Sequence, residues 1–134
     1  MASYEAYLKI ADQILADGGS SPNRIESVST SAYAQDFKTD AAEYATAGLR
    51  SVGSTAVKTA SLQGWSQDKN GFKVTAYVCE DVTGVDVVNS ESVSVVSPDR
   101  DPTTPYEVSF EGGTLTRLLV TARELWSGVD FCDE

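Results

Sequence analysis

At Gly53 the apolar residues of this chain change their spacing, and no other feature limits its fold so sharply. Before that glycine they recur at intervals of three and four. Tyr4, Tyr7, Leu8, Ala11, Ile14 and Leu15 fall at i, i+3, i+4, i+7, i+10 and i+11, one stripe along a helix, with Glu5, Lys9, Asp12, Gln13 and Asp17 on its other faces. Gly18-Gly19 supplies the stop. Ser21-Pro22 reads as an N-cap and first position of a short helical turn through Ile25 and Val28. Thr30 or Ser31 then caps a longer helix, whose stripe of Tyr33, Phe37, Ala41, Tyr44, Gly48 and Val52 is expected to end near Gly53.

Beyond Gly53 the period becomes two. Residues 55–67 are rich in Val, Thr, Ala and Trp, and Asp68-Lys69-Asn70-Gly71 is a hairpin turn signal. Phe72, Val74, Ala76 and Val78 alternate with Lys73, Thr75, Tyr77 and Cys79. Residues 82–88, with Gly84 among them, suit a shorter strand. Pro98, Pro102 and Pro105 mark residues 97–105 as a loop. Tyr106, Val108 and Phe110 alternate with Glu107, Ser109 and Glu111. Gly112-Gly113 is expected to turn the chain into a last strand over 115–126, and residues 127–134 form a tail. Helices first and a meander of strands after them define a single α+β domain over residues 1–134, with no βαβ alternation and no internal repeat.

Composition removes several functions. Ten Lys plus Arg against twenty Asp plus Glu gives a net charge of −10, so phosphate backbones and anionic lipid surfaces repel this chain, and nucleic acid is excluded as a partner. No apolar run is long enough to cross a bilayer. Met1-Ala2-Ser3-Tyr4-Glu5 lacks a basic region followed by an apolar stretch, so no signal peptide is read within the chain. There is no histidine, which rules out Ser-His-Asp and Cys-His catalysis and leaves zinc without its usual ligands. No Gly-rich phosphate loop is present. An EF-hand loop starting at Asp99 would need Gly and Glu where Thr104 and Phe110 stand. No metal and no cofactor is expected. Cys79 and Cys132 are either one disulfide or two unrelated thiols; Cys132 near the chain end favours the bridge, because a tail tied to a sheet does not fray.

The order of elements is similar to the nuclear transport factor 2-like or cystatin-like cone. The C-terminal half resembles actinobacterial secreted proteins and lipoproteins of that fold. The residues that carry the resemblance are Val78-Cys79-Glu80-Asp81, Gly84-Val85-Asp86-Val87-Val88, Pro98-Asp99-Arg100-Asp101-Pro102, Leu119-Val120-Thr121 and Glu124-Leu125-Trp126-Ser127-Gly128-Val129-Asp130-Phe131-Cys132. The resemblance implies N-terminal helices packed on a strongly curved, mainly antiparallel sheet. It also implies export to the outside or the cell envelope, a Cys79–Cys132 bridge and no established activity, with a leader or lipid anchor belonging to a longer precursor.

Asp40 follows Tyr33 at i+7 and precedes Tyr44 at i+4, so the three share one side of the long helix. In a cone, that side could face the pocket, where a desolvated Asp40 would act as the proton shuttle of a cyclase- or isomerase-like enzyme, as the inward acids of cone-fold enzymes do. The simpler reading leaves Asp40 in solvent and makes the domain non-catalytic, binding a partner protein or a small apolar ligand. Tyr33, Phe37, Tyr44, Trp65, Tyr77 and Trp126 are the candidates to line its pocket; aromatic residues at alternating strand positions, Tyr106 included, also suit a plain core.

Overall fold

A computed structural model describes residues 2–128 and 130–133. The first helix, α1 (Ala2–Ala16), buries Tyr4, Tyr7, Leu8, Ala11 and Ile14, the stripe its periodicity marks. Gly19 follows with φ +85°, and a Cβ on it would stand 2.1 Å from the Ala41 carbonyl oxygen. Glycine there lets the end of α1 touch the backbone of the next long helix. A 3₁₀ helix over Pro22–Ser27 buries Ile25. Ser21 holds the N-cap position in the left-handed region at φ 50° and makes no side-chain capping bond, contrary to expectation.

The long helix, α2, spans Ser31–Ala47 and stops before the predicted end. Gly48 takes φ 68°, and the Leu49 N–H reaches back to the Tyr44 carbonyl at 2.9 Å, a glycine-terminated C-cap that satisfies the last turn. Val52 and Gly53 therefore belong to a strand, β1 (Arg50–Gly53), and not to the helix stripe. Thr30 precedes α2 without capping it through its side chain; its hydroxyl lies 3.3 Å from that of Thr121 instead.

Five further strands follow: β2 (Ala56–Asp68), β3 (Gly71–Asp81), β4 (Val85–Val88), β5 (Thr103–Thr114) and β6 (Arg117–Leu125). They form a four-stranded sheet in the order β2-β3-β5-β6 and a two-stranded sheet β1-β4, every pairing antiparallel, so the fold is α+β. The Asn-Gly hairpin joins β2 to β3 as expected, with Asp68 opposite Gly71. The next hairpin differs from expectation. Thr114 pairs with Arg117, so Leu115-Thr116 turn the chain, while Gly112-Gly113 lie inside β5 at a register shift. A Cβ on Gly112 would come 2.3 Å from the Arg117 carbonyl, so this glycine permits a bulge and not the turn itself. Pro105 also sits inside β5, opposite Cys79, where its carbonyl accepts the Trp126 N–H at 2.9 Å. Near the start of a strand its missing donor costs little.

Alternation gives the four-stranded sheet two faces. Val74, Ala76 and Val78 of β3, Val108 and Phe110 of β5, and Leu118 and Val120 of β6 meet the stripes of α1 and α2 in one core. The backbone of Val120 also bonds Val28 and Thr30, fastening the start of α2 to the edge of β6. On the other face Cys79 is bonded to Cys132, with Cα atoms 5.4 Å apart and both residues buried. Phe131 stacks on Tyr77, Tyr77 meets Trp126 at 4.6 Å between ring centroids, and the Lys58 ammonium donates to the Cys132 carbonyl at 2.7 Å. The tail, including a 3₁₀ turn over Phe131–Asp133, is thus a cover for the back of the sheet. Among the described residues no helix is long and apolar enough to cross a membrane.

With the cysteines 53 positions apart in sequence, closing the loop is worth roughly 4 kcal/mol in the chain-entropy model. The paired substitution C79S/C132S is expected to lower the unfolding free energy in urea by about that amount. Alkylation of the native protein without reductant should label neither thiol; two labelled thiols would show that the bridge does not form.

Candidate functional site

The inward face of β3 continues past Val74, Ala76 and Val78 to Glu80, which parity delivers into the interior with its side chain 3% exposed. A carboxylate in that place needs partners, and two elements supply them. Arg123 of β6 donates from Nη2 to Glu80 Oε2 at 2.6 Å, and the Tyr4 hydroxyl of α1 donates to Glu80 Oε1. Arg123 Nε also donates to the Tyr4 oxygen at 2.9 Å, and its guanidinium carbon lies 3.8 Å from the centre of the Tyr106 ring. The guanidinium is held by a carboxylate, a phenol and an aromatic face at once, a combination that suits arginine and not lysine.

One turn along α1, the Tyr7 ring stacks on Tyr4 and meets Tyr33 and Phe37 of α2 edge-on. The Tyr7 and Tyr33 hydroxyls are hydrogen-bonded at 3.0 Å. Burial pushes the phenols of Tyr4 and Tyr7 well above the ordinary tyrosine value of 10.0, against the pull of nearby Arg123. Burial opposes the charge of Arg123, but Tyr4 and Glu80 together raise its pKa above the usual guanidinium range.

Tyr7, Tyr33, Glu80, Tyr106 and Arg123 border a cavity of about 430 Å³ between the helices and the sheet. Tyr33, Phe37, Asp40 and Tyr44 of α2 contribute one wall, Leu8 and Ala11 of α1 another, and Val85 and Val87 of β4 a third. Asp40 is on the lining but exposed, next to Tyr44, whose phenol is raised by burial and then by the Asp40 charge. Asp12 is committed elsewhere: its carboxylate accepts the Thr55 N–H at 2.8 Å and the Thr55 hydroxyl at 2.9 Å, tying α1 to the start of β2. A larger groove of about 640 Å³ runs between α1 and residues 53–57, and none of the sequence-predicted site residues borders it.

The structure thus brings Tyr33, Phe37, Tyr44 and Asp40 together and sends the other three candidates elsewhere. Trp65 stands on edge strand β2, 58% exposed, against Phe72. Tyr77 and Trp126 lie on the back of the sheet beside the disulfide. Parity explains Tyr77: an odd position on β3 faces away from the helices that Val78 meets. Tyr106, an aromatic strand residue that suited either pocket or core, borders the cavity, whereas sequence reasoning does not single out Glu80, Arg123, Tyr4 or Tyr7 as site residues. A signal existed in Glu80, since the even positions from Phe72 to Val78 are apolar and the next one carries a charge. Nothing in sequence paired it with Arg123.

No family model matches the chain, and no curated protein matches it. Among solved structures, the chain is similar to the crystal structure of the intermembrane space region of the chloroplast protein ARC6. The TM-score is 0.61 at 14% identity, covering 92% of this chain and 91% of that one. At that identity the likeness shows the fold alone. A de novo designed β-sheet protein aligns over 93% of this chain and 85% of its own at 11% identity, with a TM-score of 0.37, too low to indicate a shared fold.

Removing one member of a buried ion pair strands the other. Glu80→Ala is expected to cost about 3–5 kcal/mol of unfolding free energy, while the paired apolar replacement E80L/R123M should cost far less; equal losses in urea titrations would show that the pair acts through volume alone. Tyr4 and Tyr7 are raised in the folded chain, so the stability they contribute is fully present below pH 10 and falls above it, as the tyrosines of the unfolded chain ionise first. Thermal unfolding followed from pH 8 to 11 should show that decline, and Tyr7→Phe should flatten it.

Proposed function

We propose that this chain is a non-catalytic, extracytoplasmic binding domain that takes a small apolar ligand between its helices and its sheet, in the manner of a cone-like fold. The observation that carries this reading is the cavity of about 430 Å³, walled by Tyr33, Phe37 and Tyr44 on α2 and by Leu8, Ala11, Val85 and Val87 opposite. Space of this size, with aromatic and aliphatic walls interrupted by polar side chains such as Glu80, Arg100 and Arg123, suits a small molecule. The extracytoplasmic setting draws support from the Cys79–Cys132 bond, since such bonds persist where thiols are not kept reduced. Resemblance to secreted cone-fold proteins supports it as well. The binding reading is favoured over turnover by the position of Asp40, which stands in solvent on the cavity rim and lacks the desolvation a proton shuttle of neutral pH requires.

Amide chemical shifts recorded against a series of small apolar compounds should move together for Tyr33, Phe37, Tyr44 and Val85. Val85→Trp fills the cavity from a half-buried strand position. It is expected to abolish those shifts while leaving the disulfide and the thermal midpoint nearly unchanged. Shifts that persist in V85W would place binding elsewhere and overturn the proposal; loss of shifts from Asp40→Asn would point back to the enzyme reading.

A further inference from the structure

We propose that the ligand of this cavity is an uncharged apolar molecule carrying a carbonyl-type acceptor oxygen, seated with that oxygen at the Tyr7–Tyr33 pair. The inference rests on the binding reading above and adds the chemistry of what is bound. Tyr7 and Tyr33 bring two hydroxyl protons to one shared hydrogen bond of 3.0 Å, and only one proton can lie between the two oxygens. The other is a donor for which the described residues provide no acceptor. Either oxygen can be the donor of the shared bond, so the spare proton belongs to Tyr7, 3% exposed, or to half-buried Tyr33, and in both cases it is available to whatever occupies the space beside the pair. Both tyrosines border the cavity, and an acceptor that meets the spare proton comes from inside it.

The nearest carboxylate is already engaged: Glu80 accepts from Tyr4 with one oxygen and from Arg123 with the other. Charge around the cavity sets the charge of the guest. Arg123 is neutralised by Glu80, and Arg100 spends its guanidinium on the carbonyls of Val82 and Val85. Arg100 keeps its charge, but three further carboxylates, those of Asp12, Asp40 and Glu43, border the same space and outnumber it. An anion would therefore enter against a net negative field, whereas a neutral carbonyl is not opposed. The rest of the guest meets Leu8, Ala11, Phe37, Val85 and Val87, which asks for an apolar body.

Acetophenone, ethylbenzene and benzoate share a ring and differ at the group in question. Their affinities are to be measured by chemical-shift titration on the intact, disulfide-bonded chain and on Y7F/Y33F, which keeps both rings and removes both hydroxyls. The double variant should weaken acetophenone about fivefold or more relative to ethylbenzene, as expected for one hydrogen bond, and benzoate should bind the native protein more weakly than acetophenone. If ethylbenzene and acetophenone bind at the cavity and their ratio does not change in Y7F/Y33F, the acceptor assignment falls while the binding reading stands. Benzoate binding tighter than acetophenone overturns the uncharged guest. If none of the three shifts the cavity residues of the native protein, the binding reading and this inference fall together. A circular dichroism spectrum matching the native one confirms that the variant is folded.

Discussion

Glu80, Arg123 and Tyr4 come from three elements with large stretches of chain between them, and each is there because the other two are. Glu80 is almost wholly buried, a state a carboxylate tolerates only with a cation and a donor at hand. Arg123 crosses from β6 with a 2.6 Å contact, and Tyr4 closes the arrangement from the first turns of α1. Apolar packing between α1 and the sheet is adaptable by small slides, since dispersion contacts have little direction. Hydrogen bonds from a phenol and a guanidinium to the same carboxylate have direction. They set where along the sheet α1 rests, and hence how far apart α1, α2 and β4 stand around the cavity.

The two faces of the sheet are finished in different ways. The inner one is covered by helices and has this polar cluster beside an apolar core. Among the described residues no α-helix packs on the outer one. There Tyr77, Trp126 and Phe131 stack beside the Cys79–Cys132 bond, with Lys58 reaching the Cys132 carbonyl. A tail of a few residues buries too little surface to stay in place by apolar contact alone, and the covalent link removes the freedom that would otherwise release it. The similarity in fold to the ARC6 intermembrane space region covers nearly all of this chain.

Much of this was readable in the residues, and the failures are instructive. The stripe Tyr4 to Ile14 is buried as its spacing required, and the Asn70-Gly71 hairpin forms where its dipeptide marked it. The long helix ended early because Gly48, and not Gly53, adopts the left-handed cap, and both glycines suit that role by sequence. Gly112-Gly113 looked like a turn but serves a bulge, for a strand glycine that admits a neighbouring carbonyl is indistinguishable in sequence from one that reverses the chain. Tyr33, Phe37 and Tyr44 reached the cavity because helix periodicity places them on the face that packs. Trp65 and Tyr77 did not, because an aromatic residue in a strand has two faces open to it and its type does not choose between them, and Trp126, just past the end of β6, packs on Tyr77 behind the sheet.

Local order along the chain was therefore decided by sequence alone: which segments are helix, which are strand, that helices precede strands, and that metal and histidine chemistry are absent from the expectation. Those properties depend on residues within a turn or two of one another, where spacing and backbone preference act directly. Only the tertiary structure decided that Glu80 would meet Arg123 and Tyr4, that Tyr7 and Tyr33 would share a hydrogen bond, and that Cys79 would turn its back on the cavity towards Cys132. Contacts between residues dozens of positions apart depend on strand register and on the seat of a helix across a sheet. Register shifts by one residue exchange the faces of every side chain beyond them, and no local pattern records where such a shift falls.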